Sequence, residues 1–196
     1  EPAPTPSAAS PDVMTQAARA DSVRRHYTEA DVAFMRDMIH HHAQALVMAR
    51  MAPGHGAGEE LQTLAARIIN GQRGEIGLMQ RWLRDRGEPV PEVDEAGHSD
   101  MPHHGMATMA GMLSPEQMAR LDAARGDEWD RLFLIYMIQH HQGALVMVEE
   151  LFDTYGAGQG DDVFAIASSI GADQATEIDR MQRMLEERLF DDGGSN

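Results

Sequence analysis

One segment occurs twice in this chain, and that repetition restricts the fold more than any other feature. Asp31-Val-Ala-Phe-Met-Arg-Asp-Met-Ile-His-His-His-Ala-Gln-Ala-Leu-Val-Met48 aligns without gaps with Asp130-Arg-Leu-Phe-Leu-Ile-Tyr-Met-Ile-Gln-His-His-Gln-Gly-Ala-Leu-Val-Met147, 99 positions later. A second pair, Gln72-x-x-Glu75-Ile-x-x-Met79 and Gln174-x-x-Glu177-Ile-x-x-Met181, follows at an offset of 102. The repeating unit is therefore a pair of segments, used twice.

Both segments read as helices. Thr28-Glu-Ala-Asp31 has the form of a capping box, and Pro53-Gly54 stops the helix it opens. The second helix is expected from about residue 59 to 86, before Gly87, and a short one from Ser114-Pro115 to Arg125. Gly126-Asp127 opens the third long helix, which ends before Gly156, and a fourth runs from about 161 to 189. Asp12 to Arg25 is a candidate for one further helix.

The period places residues on faces. Phe34, Met38, His41, Ala45, Met48 and Ala52 follow steps of three and four, the spacing of a buried seam. Phe133, Met137, His140, Ala144, Met147 and Leu151 repeat it. The second helix of each unit carries a matching stripe, with Gln72, Glu75 and Met79 in one and Gln174, Glu177 and Met181 in the other. Short loops make the helices of each pair antiparallel neighbours. A turn near residue 55 would set His41 level with about residue 70 and Met38 near Gln72 and Glu75. Gly71 and Gly171 would let backbones approach closely there. The expected architecture is all-α: a four-helix bundle domain over residues 28–190. It comprises repeat one (28–87), a linker (88–113) and repeat two (114–190), with a polar layer inside an apolar core. Residues 191–196 read as a disordered tail.

Composition limits what that layer can do. The net charge of −16 disfavours nucleic acid and anionic membrane surfaces and favours cations. Cysteine is absent, which removes disulfides and thiolate chemistry. Methionine (15) and histidine (10) are plentiful instead. The Pro/Ala/Ser-rich opening from Glu1 to Ser10 reads as part of a tether (1–27) behind a removed leader or a lipid anchor. That reading gives an extracytoplasmic location: periplasm, cell surface or secreted. No stretch is long and apolar enough to span a membrane.

A buried carboxylate needs a partner, so Glu75 and Glu177 are expected to be paired. One reading of the layer is structural, with Glu and His fixing helix register and Met filling gaps. The other is a metal site, because imidazole suits copper, zinc, iron and nickel and thioether sulfur selects Cu(I). On one helix face His41 stands near Met48, and Met38 near His41 or His42. Adjacent His42 and His141 point about 100° away from their neighbours, onto the flank. His40 has no counterpart, since position 139 is Gln. The linker is a separate signal. His98, Met101, His103, His104, Met106, Met109 and Met112 fall within fifteen positions, as in short tracts that bind soft cations.

On these residues the chain resembles the bacterial family catalogued as domain of unknown function 305, which includes CopM-like copper-binding proteins. The motifs are Asp31-x-x-Phe34-x-x-x-Met38-Ile-x-His41-His42-x-x-Ala45-x-x-Met48, its copy from Asp130 to Met147, both Gln-x-x-Glu-Ile-x-x-Met segments, and the Met-rich linker before Leu113-Ser-Pro. The resemblance covers about residues 28–190. It implies a ferritin-like four-helix bundle, export, and copper binding or resistance. By position, the implied ligands are Met38, His41, His42, Met48, Met137, His140, His141 and Met147, with the linker residues. Asp31, Gln72, Glu75, Met79, Asp130, Gln174, Glu177 and Met181 are candidates for a supporting or ligating role.

Three functions follow as expectations. The first is a non-catalytic protein that sequesters or delivers copper, Cu(I) above all, with silver or zinc as further ligands. The second is a di-metal carboxylate oxidase or iron store, but the Glu-x-x-His motif of such bundles is missing. The third is a structural or interaction bundle whose polar layer binds nothing, with a protein partner not specified by the sequence. Catalytic serine or cysteine arrangements and a phosphate-cradling loop are not visible.

Overall fold

The computed structural model describes residues 27–99 and 109–193. Among them are five α-helices: α1 (Glu29–Arg50), α2 (Glu59–Arg86), α3 (Pro115–Ala123), α4 (Gly126–Asp153) and α5 (Asp161–Gly193). A short 3-10 turn, Ala52–His55, follows α1, and a single β-bridge joins Val93 and Ser99. The structure is all-α, a helical bundle. No described helix is long and apolar enough to cross a membrane. The N-terminal tether and the helix expected over Asp12 to Arg25 lie outside the described residues. α5 continues to Gly193, beyond the expected end at 189 and into the tail expected to be disordered.

The boundaries follow local chemistry. Thr28 Oγ1 accepts the Asp31 amide at 3.2 Å while Asp31 Oδ2 accepts the Thr28 amide at 2.7 Å, closing the capping box. Ser114 and Gln117 do the same for α3, with Pro115 in its first turn. Gly87 ends α2 in the left-handed region (φ 72°), where its amide and that of Glu88 reach back to Arg84 and Leu83.

The helices pack as two antiparallel pairs, α1 with α2 and α4 with α5, joined through α1 and α4. Phe34, Met35, Met38 and Ile39 share one apolar cluster with Ala144, Met147 and Leu151, and Met48, Ala49 and Ala52 share another with Trp129, Phe133 and Met137. The N-terminal half of each central helix thus meets the C-terminal half of the other, so α1 and α4 cross antiparallel. Two aspartates lock the pairs reciprocally. Asp31, at the start of α1, accepts the Gly158 amide from the α4–α5 turn at 2.7 Å. Asp130, in the first turns of α4, accepts the Gly58 amide from the α1–α2 turn at 3.2 Å and pairs with Arg188.

Close backbone approach occurs elsewhere than at Gly71 and Gly171. A Cβ on Gly71 would meet nothing within 4 Å, and one on Gly171 only ordinary contact with Val148. α2 and α5 touch only sparsely and leave open space beside Gly71, whereas the tight contact is between α4 and the end of the linker. A Cβ on Gly143 would lie 2.1 Å from the Ala110 carbonyl oxygen. Gly143→Ala is therefore expected to cost roughly 1–3 kcal/mol and to lower Tm by several degrees. A variant that melts with the parent would show that residues 109–112 do not pack on α4 in this way.

Candidate metal centre

The centre lies where α1 and α4 cross. His41, His42, His140 and His141 are all fully buried. The His41 and His140 rings meet across the crossing with centroids 3.9 Å apart and planes inclined at 39°, and they lie 6.5 and 6.1 Å from their own helical neighbours, His42 and His141. The four rings form one continuous row.

The glutamates close its ends. Glu75 Oε2 lies 2.7 Å from His42 Nε2, and Glu177 Oε2 lies 2.6 Å from His141 Nε2. Sequence spacing set Glu75 near Met38 on the seam; the structure pairs Glu75 and Glu177 with the flank histidines instead. The register explains it. The 3-10 turn and the residues to Gly58 move the centre of the α1–α2 connection toward the start of α2, so His42 rather than Met38 meets Glu75. Met38 instead shares its cluster with Met79. The seam faces α4, and the flank of α1 faces α2.

Hydrogen bonding sets the protons. His41 Nε2 lies 3.0 Å from the Ala110 carbonyl oxygen, an acceptor, so this nitrogen carries the hydrogen. Its Nδ1 is buried without a partner, as are Nδ1 of His42 and His141 and both ring nitrogens of His140, among the described residues. The carboxylates likewise accept from Nε2 of His42 and His141. A buried Nδ1–H with no acceptor would be costly, so Nδ1 of these rings is better placed as a lone pair. A carboxylate or carbonyl that takes the far nitrogen's hydrogen is the common support of metal-bound imidazole. Burial holds His41 down to about 3, helped by neighbouring His42 and His141 and opposed by the Ala110 carbonyl. His140 is also held well below its usual range, first by burial and then by His41, with the His41 backbone opposing. Both rings are neutral near pH 7 and able to donate to a cation.

Met38, Met48 and Met137 are fully buried and Met147 is 9% exposed. Met38 and Met147 lie in one apolar cluster, with Met79, and Met48 and Met137 in the other, with Met181. The histidines fall between the two. Gln72 and Gln174 are buried beside the row's glutamates, each with Oε1 unpartnered. Asp31 and Asp130 stand apart from the row and hold turns, as described above. Among the described residues, no three His, Cys, Asp or Glu side chains converge as a ready-made metal shell.

Of the linker residues, Met101, His103, His104 and Met106 lie outside the described residues. His98 is exposed and bonds Asp94 through Nδ1 at 3.1 Å. The far end is not a loose tract: Met112 is buried, Met109 packs on an apolar cluster, and Gln44 holds both backbone groups of Leu113. Sequence reasoning missed the Ala110 carbonyl as a partner of His41. It also missed His55, whose ring bridges the Met51 and Asp122 carbonyls at 2.7 and 2.9 Å. The exchange of Gln44 for Gly143 between the repeats was the available sign that the linker docks here.

A repeated helix pair closed around a buried row of four histidines defines the class of protein. The chain belongs to the family described as domain of unknown function (DUF305), whose model matches residues 31–185. It is similar to a DUF305 fragment from Deinococcus radiodurans, with 31% identity and a TM-score of 0.69 over 82% of this chain and 98% of that one. A DUF305 protein from Streptomyces coelicolor, described as secreted, has 29% identity and a TM-score of 0.68 over 81% and 93%. CopM in its Cu(II)-bound form has 30% identity and a TM-score of 0.62 over 80% and 96%. CopM has also been solved in Cu(I)-bound and Ag-bound forms. No curated protein matches the chain.

Proposed function

We propose that this protein is an exported, non-catalytic binder of soft univalent cations, Cu(I) above all and Ag(I) with it, acting in copper sequestration, delivery or resistance. The observation that carries the reading is the facing pair His41 and His140, buried and neutral, with unpartnered ring nitrogens among the described residues and methionines in both flanking apolar clusters. Thioether sulfur favours Cu(I) further. The copper and silver forms of CopM, a relative at about this identity, support the same reading. In this reading the four long helices form a ferritin-like bundle. His41, His42, His140 and His141 with Met38, Met48, Met137 and Met147 are the core ligand pool, and His98, Met101, His103, His104, Met106, Met109 and Met112 a second one.

Under reducing conditions the purified chain should compete with a chromogenic Cu(I) chelator, and X-ray absorption of the loaded protein should show sulfur and imidazole scatterers together. Failure to compete removes this reading. Replacing residues 100–108 by a Gly/Ser segment removes Met101, His103, His104 and Met106 from the second pool while leaving Ala110 and Met112 in place. Loss of all binding in that variant would assign the bundle the part of a scaffold.

A further inference from the structure

A cleft opens between α2 and α5, which pack on each other far less than each packs on its own partner helix. It has a volume of about 310 Å³ and is lined by Gln72 and Glu75 from α2 and by Asp173, Gln174, Thr176 and Glu177 from α5, with Gly71 at its edge. Every side-chain donor there is an oxygen or an amide, and no Lys or Arg lines it. Three carboxylates face one space, yet Glu75 and Glu177 spend one oxygen each on His42 and His141. Asp173 has no such partner, and its carboxyl is raised by burial and by Glu75 and Glu177. The second observation is independent of the charges. Gln72 and Gln174 are each only 2% exposed, line the cleft, and leave Oε1 without a partner; Glu75 Oε1 is also unpartnered. Buried polar atoms of this kind are rare without a ligand or ordered water.

We propose that this cleft is a binding site for a hydrated divalent cation of the magnesium or manganese class, held through its water shell and distinct from the histidine row. The chemistry fixes the class. Soft ions want sulfur or imidazole, and the lining offers neither. Calcium takes about six to eight oxygens directly, whereas magnesium keeps several of its waters and needs one or two carboxylates. The described carboxylates and imidazoles do not converge on a bare ion, and the space holds on the order of ten waters at ~30 Å³ each. Turned toward the cleft, the side-chain amides of Gln72 and Gln174 would accept hydrogen bonds from the ion's waters, and the carboxylates supply the charge. This site goes beyond the soft-ion reading and does not depend on it.

The test is a Mn2+ titration of the full-length, isotope-labelled protein, read as paramagnetic broadening of glutamine side-chain amides. Gln72 and Gln174, although buried, should broaden before the exposed Gln62 and Gln159. Asp173 is exposed, so its substitution should leave the fold intact. Asp173→Asn should raise the Mn2+ needed by about tenfold, and Asp173→Lys, which sets an ammonium in the cleft, should abolish the selectivity. Loading with Ag(I) should leave the Mn2+ effect in place. Broadening of Gln62 and Gln159 at the same Mn2+ concentration as Gln72 and Gln174, or selectivity that survives Asp173→Lys, overturns the proposal. Stoichiometric displacement of Mn2+ by Ag(I) overturns it too, by making the cleft the mouth of the histidine site. Failure of Ag(I) to bind removes the soft-ion reading alone, since the Mn2+ result is read independently.

Discussion

Replacing His41 and His140 together by Leu is expected to weaken Cu(I) binding to the core by at least about 100-fold, or ~2.7 kcal/mol, while leaving the metal-free protein as stable as before or more so. The two effects have one cause. The facing rings are fully buried, and among the described residues three of their four nitrogens have no partner. Such atoms cost stability in the empty protein, and one lone pair on each neutral ring is available to an ion. Leucine removes both the cost and the ligand, and only the Ala110 carbonyl loses a donor, a loss of about 1 kcal/mol. The neighbouring histidines should behave differently. His42→Leu strands the Glu75 carboxylate, whose side chain is only 12% exposed, and is expected to cost about 3–5 kcal/mol. Chelator competition and thermal melts of both variants check this. Unchanged Cu(I) affinity together with a raised Tm in the double variant would make the row a structural layer and nothing more.

The second large effect is acid lability of the metal-free protein. In the fold His41 titrates at about 3 and His140 is shifted in the same direction, whereas in the unfolded chain both take a proton near 6.5. Between those values the unfolded state binds protons that the folded state refuses, so stability is full above pH ~6.5 and falls as pH drops. Below that pH His41 contributes a slope of about 1.4 kcal/mol per pH unit, or roughly 2 kcal/mol lost by pH 5, and His140 adds to it in the same direction. Urea unfolding from pH 7.5 to 4.5 should show the decline, and His41→Leu/His140→Leu should flatten it. A slope that persists in the double variant would place the acid sensitivity elsewhere.

Much of this was readable beforehand, for physical reasons that differ from residue to residue. The capping boxes at Thr28 and Ser114 and the stop at Gly87 are local chemistry, and the helices begin and end there. The seam stripes are a property of the 3.6-residue period, and Phe34, Met38, His41, Ala45 and Met48 are all buried as that period requires. The pairing of carboxylates with histidines was legible as a need but not as an assignment, because a turn longer by a few residues shifts which side chains stand level. The docking of the linker on His41 was hidden, since it runs through the backbone carbonyl of Ala110, which no side-chain pattern encodes.

The sequence by itself determined the repeat, the helices, the buried faces and the inventory of imidazole, thioether and carboxylate groups, because each follows from chain-local periodicity and composition. Tertiary structure alone decided that His41 meets His140 rather than a glutamate, that Glu75 and Glu177 turn to the flank histidines, and that α2 and α5 part to leave an acidic cleft. These outcomes depend on how two helix pairs cross, and the crossing is set by packing between segments about a hundred residues apart, which the local pattern of neither one contains.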